Sequence, residues 1–273
     1  MRDEIENFRI AVDQEYDARG PDGIPNCQNA LSNVVDSGAL IGLINMSLAK
    51  LLESPNSDSA SWLDVGIYIT GGPDWTLRAV VYDRPASGIY TFPYVALIRN
   101  VGPHRYIYKT YDLPPNYINE NFRKDAEITL SSVKVMSPGS VAVIDGRTCA
   151  LDVEIDKPAV ALRLYAHLPD VLQWRFSRDS LLPDCAYANK SVDSELVSLA
   201  TAAGALRSSS AASVLMDLSY HQCYFVRWEA IKNLAIISQG AILERLHVAL
   251  EDPHPEIRDA ARKTLEKIAA GAR

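Results

Sequence analysis

"PGSVAVIDGRTCALDVEIDKPAVALRLY" (Pro138–Tyr165) reads as three short strands joined by two tight turns. In "SVAVID", "ALDVEI" and "AVALRLY" apolar and β-branched residues recur at a period of two, which sends alternate side chains to opposite faces of a sheet. "DGR" and "DKP" supply the turn residues between them. The gaps are too short for crossover helices, so successive strands run antiparallel.

The same texture extends toward the N-terminus as far as Trp62. "VGIYIT", "TLRAVVYD", "YVALIRNV", "RYIYKTY" and "ITLSSVKVM" are further short β-branched or aromatic runs, separated by "GGPD", "RPASG", "NVGP" and "LPPN". Eight such runs between 61 and 170 predict an antiparallel sandwich or barrel. Ahead of them, 1–60 is expected to be a helical and loop segment packing on the barrel. Residues 1–30 are polar, with "RGPDGIPN" as loop chemistry. A helix over 38–53, capped by Asp36 or Ser37, would carry Leu40, Leu43, Ile44, Leu48, Leu51 and Leu52 as an apolar stripe; 53–61 reads as a linker.

Past Pro169 the period changes. "VLQWRFSRDSLLPD" is mixed, and from Ser191 apolar residues recur at helical spacing. "FVRWEAIKNLAII" (225–237) aligns without gaps on "EIRDAARKTLEKI" (256–268), an offset of 31 residues that matches Arg227 with Arg258, Ala230 with Ala261 and Leu234 with Leu265. Further helices are expected over 193–206, 208–219 and 240–250. The "P-x-I-R-x-x-A" start of the second copy resembles HEAT-type helical repeats, which implies a helical module over 190–273 whose pairs stack on neighbours. The predicted class is therefore α+β: an antiparallel β-barrel followed by α-helical, HEAT-like repeats.

Bulk properties narrow the function. The chain has 273 residues, 48% of them hydrophobic, with a formal net charge of -7 and a sequence pI near 5.3. Residues 190–273 hold ten Lys/Arg and ten Asp/Glu, so the whole negative charge lies in 1–189. Neither half has the basic face that nucleic-acid binding requires, and two repeats are too few for a HEAT-like DNA-repair reading. Cys27, Cys149, Cys185 and Cys223 include no metal-knuckle spacing, and a chain this long folds without disulfides. The N-terminus has no apolar signal core, and "ALIGLINMSLAKLL" is too short to span a membrane. The expectation is a cytoplasmic protein with no membrane partner.

"PGSVAVIDGRT" resembles the second motif of the cupin superfamily, small jelly-roll barrels in which Pro-Gly turns into a strand and the next loop presents a metal-ligating histidine. Counted back from Pro158, that place holds Cys149. The first cupin motif ends in a glycine, matched by Gly102; its glutamate place holds Val95, and its His-x-His place falls in "GIYT" (88–91), which has no histidine. Divalent iron takes imidazole and carboxylate ligands aimed at one point, so the resemblance implies a jelly roll without the three-histidine iron site and without a cofactor. His104 and His167, near strand ends, are either surface residues or parts of a rebuilt site. "AVALRLYAHLP" resembles the last strand of thiol dioxygenases, where a Ser, a His and a Tyr line the active site; the matching residues are Ala161, Arg163 and Tyr165.

Alternation puts Arg163 and Tyr165 on one face, which the resemblance makes the inner one. A guanidinium there needs an anionic partner, either a substrate carboxylate or a structural Asp. In the cupin register Val95, Leu97 and Arg99 also point inward; a one-residue slip turns Arg99 out to solvent. Seven of the thirteen tyrosines fall between Tyr82 and Tyr117, Tyr90 and Tyr106 among them. They are strand formers, some of which can line a pocket. Cys149 is either packed or a nucleophile, with Arg147 two residues away to lower its pKa.

These residues support two readings. In the first, a metal-free cupin acts on a small anionic molecule as an isomerase, cyclase or lyase. Arg163, Arg99 and Tyr106 hold the anion, and Tyr165, Tyr90, His104 and Cys149 serve acid–base or nucleophilic roles. In the second, the barrel senses a ligand without turnover, and the helical repeats bind a protein partner or a second copy. A dioxygenase with a rebuilt metal site is a weaker third.

Overall fold

The computed structural model describes residues 2–42, 44, 45, 49, 66–169, 172–189 and 191–271. The chain divides into two compact units, Met1–Tyr187 and Ala188–Arg273. Most of the helix expected over 38–53 and the linker over 53–61 lie outside the described residues, although 39–42 are helical.

The first unit holds eleven strands among the described residues: β1 (Gly66–Gly71), β2 (Trp75–Tyr82), β3 (Ile89–Thr91), β4 (Tyr94–Asn100), β5 (Tyr106–Asp112), β6 (Thr129–Met136), β7 (Val141–Asp145), β8 (Cys149–Ile155), β9 (Ala159–His167), β10 (Leu172–Phe176) and β11 (Pro183–Ala188). They form a five-stranded sheet ordered β1-β2-β9-β4-β7 and a six-stranded sheet ordered β11-β10-β3-β8-β5-β6. Within them β2 pairs with β9, β3 with β8, β4 with β7 and β5 with β6, all antiparallel. That is one long hairpin, β2–β5 against β6–β9, rolled so that its pairs fall alternately in two facing sheets. The result is an eight-stranded double-stranded β-helix, the jelly roll of cupins.

Three strands escape the sequence reading. β3 is three residues long, inside what looks like a turn region, and β10 and β11 lie in the mixed stretch after Pro169. They hold their places through tertiary contacts. Trp174 donates its indole N–H to the Asn119 carbonyl at 2.8 Å, and its ring packs against Tyr117 and Phe122. Asp152, 1% exposed, receives a bidentate pair from Arg178 at 2.6 and 2.9 Å.

The N-terminal segment, read as polar with loop chemistry at "RGPDGIPN", opens with a helix that the sequence reading did not place. α1 (Arg2–Arg19) is a full helix, followed by a 3-10 turn (Gly20–Cys27) and α2 (Gln28–Asp36). Its stripe is sparse, with Ile5, Phe8, Val12 and Tyr16 on one side of a charged helix, and contact with the 3-10 turn, α2 and the sheet gives it partners. Phe8, Val12, Ile24, Leu31 and Val34 share a core with Trp75, Leu77, Val95, Leu97, Leu162 and Leu164, so the helices cover the outer face of the first sheet.

The second unit is helical: α3 (Ser191–Ala205), α4 (Ala212–Leu218), α5 (Tyr224–Ile237), α6 (Gln239–Ala249) and α7 (Pro255–Gly271). Its core runs through Ala200, Leu215, Ala230, Leu234, Leu246, Ile257 and Ala261. The 31-residue correspondence reappears in hydrogen bonding. Arg227 Nη1 donates to the carbonyls of His221 and Gln222, and Arg258 Nη1 donates to those of Asp252 and Pro253, the same six- and five-residue reach.

Candidate functional site

The faces of β9 settle which side chains enter the barrel. Leu162, Leu164 and Ala166 lie in the outer core under α1 and α2, whereas Ala159, Ala161 and Tyr165 lie in the inner cluster with Phe92, Ile98, Tyr106, Tyr108, Ile144 and Cys149. Alternation therefore directs Arg163 inward, where β9 is flanked by β2 and β4.

Arg163 meets tyrosines. Its Nη2 donates to the Tyr82 hydroxyl at 3.0 Å, and Tyr82 and Tyr108 share a hydrogen bond of 2.7 Å. The guanidinium carbon lies 4.9 Å from the centroid of the Phe92 ring. Arg163 Nε is sealed from solvent without a hydrogen-bond partner, and among the described residues no carboxylate pairs with the guanidinium. The Tyr106 hydroxyl is likewise buried with no partner of normal geometry; its ring lies 5.3 Å from that of Tyr82 and 5.1 Å from that of Tyr108. Burial pushes the Tyr106 and Tyr108 phenols above their ordinary range, so both stay neutral near pH 7 and keep an O–H to donate.

One end of this space is aromatic. Tyr94 packs on Tyr165 with centroids 4.4 Å apart, and the exposed His167 contacts both rings at 5.2 Å. At the same end a 260 Å³ cavity is lined by Tyr108, Thr110, Ser132, Lys134, Asp145 and Cys149. The other end is closed by the buried Asn100, which donates to the carbonyls of His104 and Met136 and accepts from the Gly102 N–H.

The residues proposed from sequence thus divide. Arg163, Tyr165 and Tyr106 come together inside the barrel. Arg99 does not join them: the register is the slipped one, with Val95 and Leu97 in the outer core. Arg99 nevertheless avoids open solvent, because the helical layer covers that face and Asp36 accepts from its Nη2 at 3.1 Å. Tyr90 lies opposite Leu151 on the ladder, but its hydroxyl is bonded to Ser87 at 2.6 Å. His104 belongs to the β4–β5 loop, at the end closed by Asn100 and away from His167.

Cys149 lines the cavity as a poor nucleophile. Burial, then the nearby Asp145 charge, raises its thiol to about 11, and Sγ donates to the Asp145 carbonyl at 3.2 Å. Arg147 offers no relief, since Asp145 and Asp22 take its guanidinium. At pH 8 the thiolate is then roughly one part in a thousand, so iodoacetamide should modify Cys149 about 100-fold more slowly than a free thiol. The rate should climb about tenfold per pH unit toward 11, as read by mass spectrometry of the Cys149 peptide; rapid modification at pH 8 in folded protein would contradict this environment.

The residues present do not fit a three-histidine iron site. Val95 faces outward, Cys149 is held as a thiol, and among the described residues no three His, Cys, Asp or Glu side chains are grouped as ligands. Sequence reasoning counted Tyr82 and Tyr108 among its seven clustered tyrosines without placing them at Arg163, and did not single out Phe92. The cross-strand partners that gather them are separated by up to about eighty residues and leave no local signal.

No family model matches the chain, and no curated protein matches it. Among solved structures it is similar to a hydroquinone 1,2-dioxygenase from Sphingomonas sp. TTNP3 with 4-hydroxybenzoate bound (11% identity, 43% of this chain and 72% of that one, TM-score 0.32). It is also similar to a conserved Klebsiella pneumoniae protein with a double-stranded β-helix domain (8% identity, 42% and 78%, TM-score 0.26) and to Streptomyces albus HEPD (16% identity, 38% and 21%, TM-score 0.28). At such TM-scores these likenesses do not bear on activity, and the fold assignment rests on the strand pairing itself. Among the described residues no helix is long and apolar enough to cross a membrane.

Proposed function

We propose that the barrel takes a small anionic molecule, with Arg163 as its counter-charge and neutral tyrosines as hydrogen-bond donors. One observation carries this reading: a guanidinium inside the barrel has a sealed, unpartnered Nε and, among the described residues, no carboxylate to pair with. Desolvating such a charge costs several kcal/mol, and a carboxylate docked on its planar edge offsets that cost. In the catalytic form of this reading the reaction is metal-independent acid–base chemistry of the isomerase, cyclase or lyase type. Tyr165 and His167, in contact at the aromatic end, are the groups that exchange protons with the bound molecule.

The test is calorimetric titration of the full chain with small carboxylates and phosphate. Arg163→Lys should weaken binding at least tenfold, because an ammonium lacks the fork. Arg163→Met should abolish binding while leaving the melting temperature nearly unchanged. A large drop in melting temperature with binding intact would make Arg163 a structural residue and end the proposal.

Binding without turnover is the second reading, with the helical unit as a HEAT-like contact surface for a protein partner or a second copy. Val192, Leu199 and Leu206 favour it: they recur every seven residues along α3 and its C-terminal end, 52%, 66% and 79% exposed.

A further inference from the structure

The ligand class follows from what surrounds Arg163, and the inference rests on the anion-binding reading above. Among the described residues, Arg163 Nε and the Tyr106 hydroxyl are two of the buried polar atoms with no partner of normal geometry, and Tyr82 joins them by bonding one residue and packing on the other. An orphan donor in a dry interior is costly, and a single acceptor group reaching both relieves two penalties together. A carboxylate has two oxygens, one for each donor, and its planar geometry suits a guanidinium edge.

The rest of the lining is flat. Phe92 lies under the guanidinium, Tyr94 and Tyr165 form a tilted pair at 4.4 Å, and Phe92 meets Tyr94 edge-on at 5.0 Å. Aromatic faces and edges favour another π-system in stacked or edge-to-face geometry over a saturated ring of similar size. We infer that the barrel selects a small aromatic monocarboxylate, its carboxylate bridging Arg163 and Tyr106 and its ring set among Phe92, Tyr94 and Tyr165.

The sign of one variant separates this from a packing role. Tyr106→Phe deletes an unsatisfied buried hydroxyl, so the ligand-free protein should melt at the same or a higher temperature. The same change removes one of two carboxylate anchors and should weaken benzoate binding about tenfold. The experiment titrates full-length wild type, Tyr106→Phe and Arg163→Met with benzoate, cyclohexanecarboxylate and inorganic phosphate, with a melting curve for each protein. The expected result is benzoate bound at least tenfold more tightly than the other two probes, with dependence on both residues. Cyclohexanecarboxylate or phosphate binding as well as benzoate, in an Arg163-dependent way, overturns the aromatic class and leaves the anion site standing. Benzoate affinity unmoved by Tyr106→Phe overturns the bridge. No Arg163-dependent binding of any probe overturns both readings.

Discussion

Gly146→Ala should cost the barrel about 3–5 kcal/mol, enough to unfold or aggregate much of the purified protein. Gly146 closes β7, where its N–H donates to the Tyr94 carbonyl at 2.9 Å. A Cβ built there would overlap the carbonyl oxygen of Phe92 and lie 2.8 Å from that of Tyr94. Both obstacles are backbone, so no side-chain rotation relieves them, and the start of β4 must move away from β7. Phe92 and Tyr94 also form walls of the candidate site, so any folded remainder should bind anions poorly. Gly139→Ala is the control. Gly139 has φ +80° with open space around it, and an alanine there meets only backbone strain, about 1–2 kcal/mol. Urea denaturation of both variants gives the comparison; equal midpoints would mean the two chain segments yield easily.

In the helical unit, Asp252→Ala should lower stability by about 3–5 kcal/mol. Arg227 and Asp252 are 9% and 4% exposed and pair through Nε and Nη2 at 3.0 and 2.7 Å. Asp252 also accepts the His254 N–H at 2.9 Å at the entry to α7. Removing the carboxylate strands a buried guanidinium whose Nη1 remains tied to the His221 and Gln222 carbonyls. Replacing both partners, Arg227→Met with Asp252→Leu, should recover most of the loss, since a buried pair gains little over apolar residues of similar volume. Helical circular dichroism of the full chain during denaturation reads the effect. A single-variant loss below about 1 kcal/mol would show that the pair is not dry.

The period-two runs of 138–165 and the change to helical period after Ser191 are local properties, each carried by a dozen neighbouring residues. They made the β-rich body, the helices of 190–273 and the 31-residue match of Arg227 with Arg258 readable from the chain. Alternation alone also put Arg163 and Tyr165 on a common face. It could not choose the register of β4, because a one-residue slip exchanges its two faces. That choice followed from α1 and α2 covering the sheet and from Asp36 meeting Arg99. The strands β3, β10 and β11 are too short or too mixed to stand out, and exist because Leu151, Trp174 and Arg178 find partners far along the chain. The gathering of Tyr82, Phe92, Tyr106 and Tyr108 around Arg163 has the same origin: these contacts cross two sheets, and a side chain's position across a barrel is fixed by pairing between strands distant in sequence.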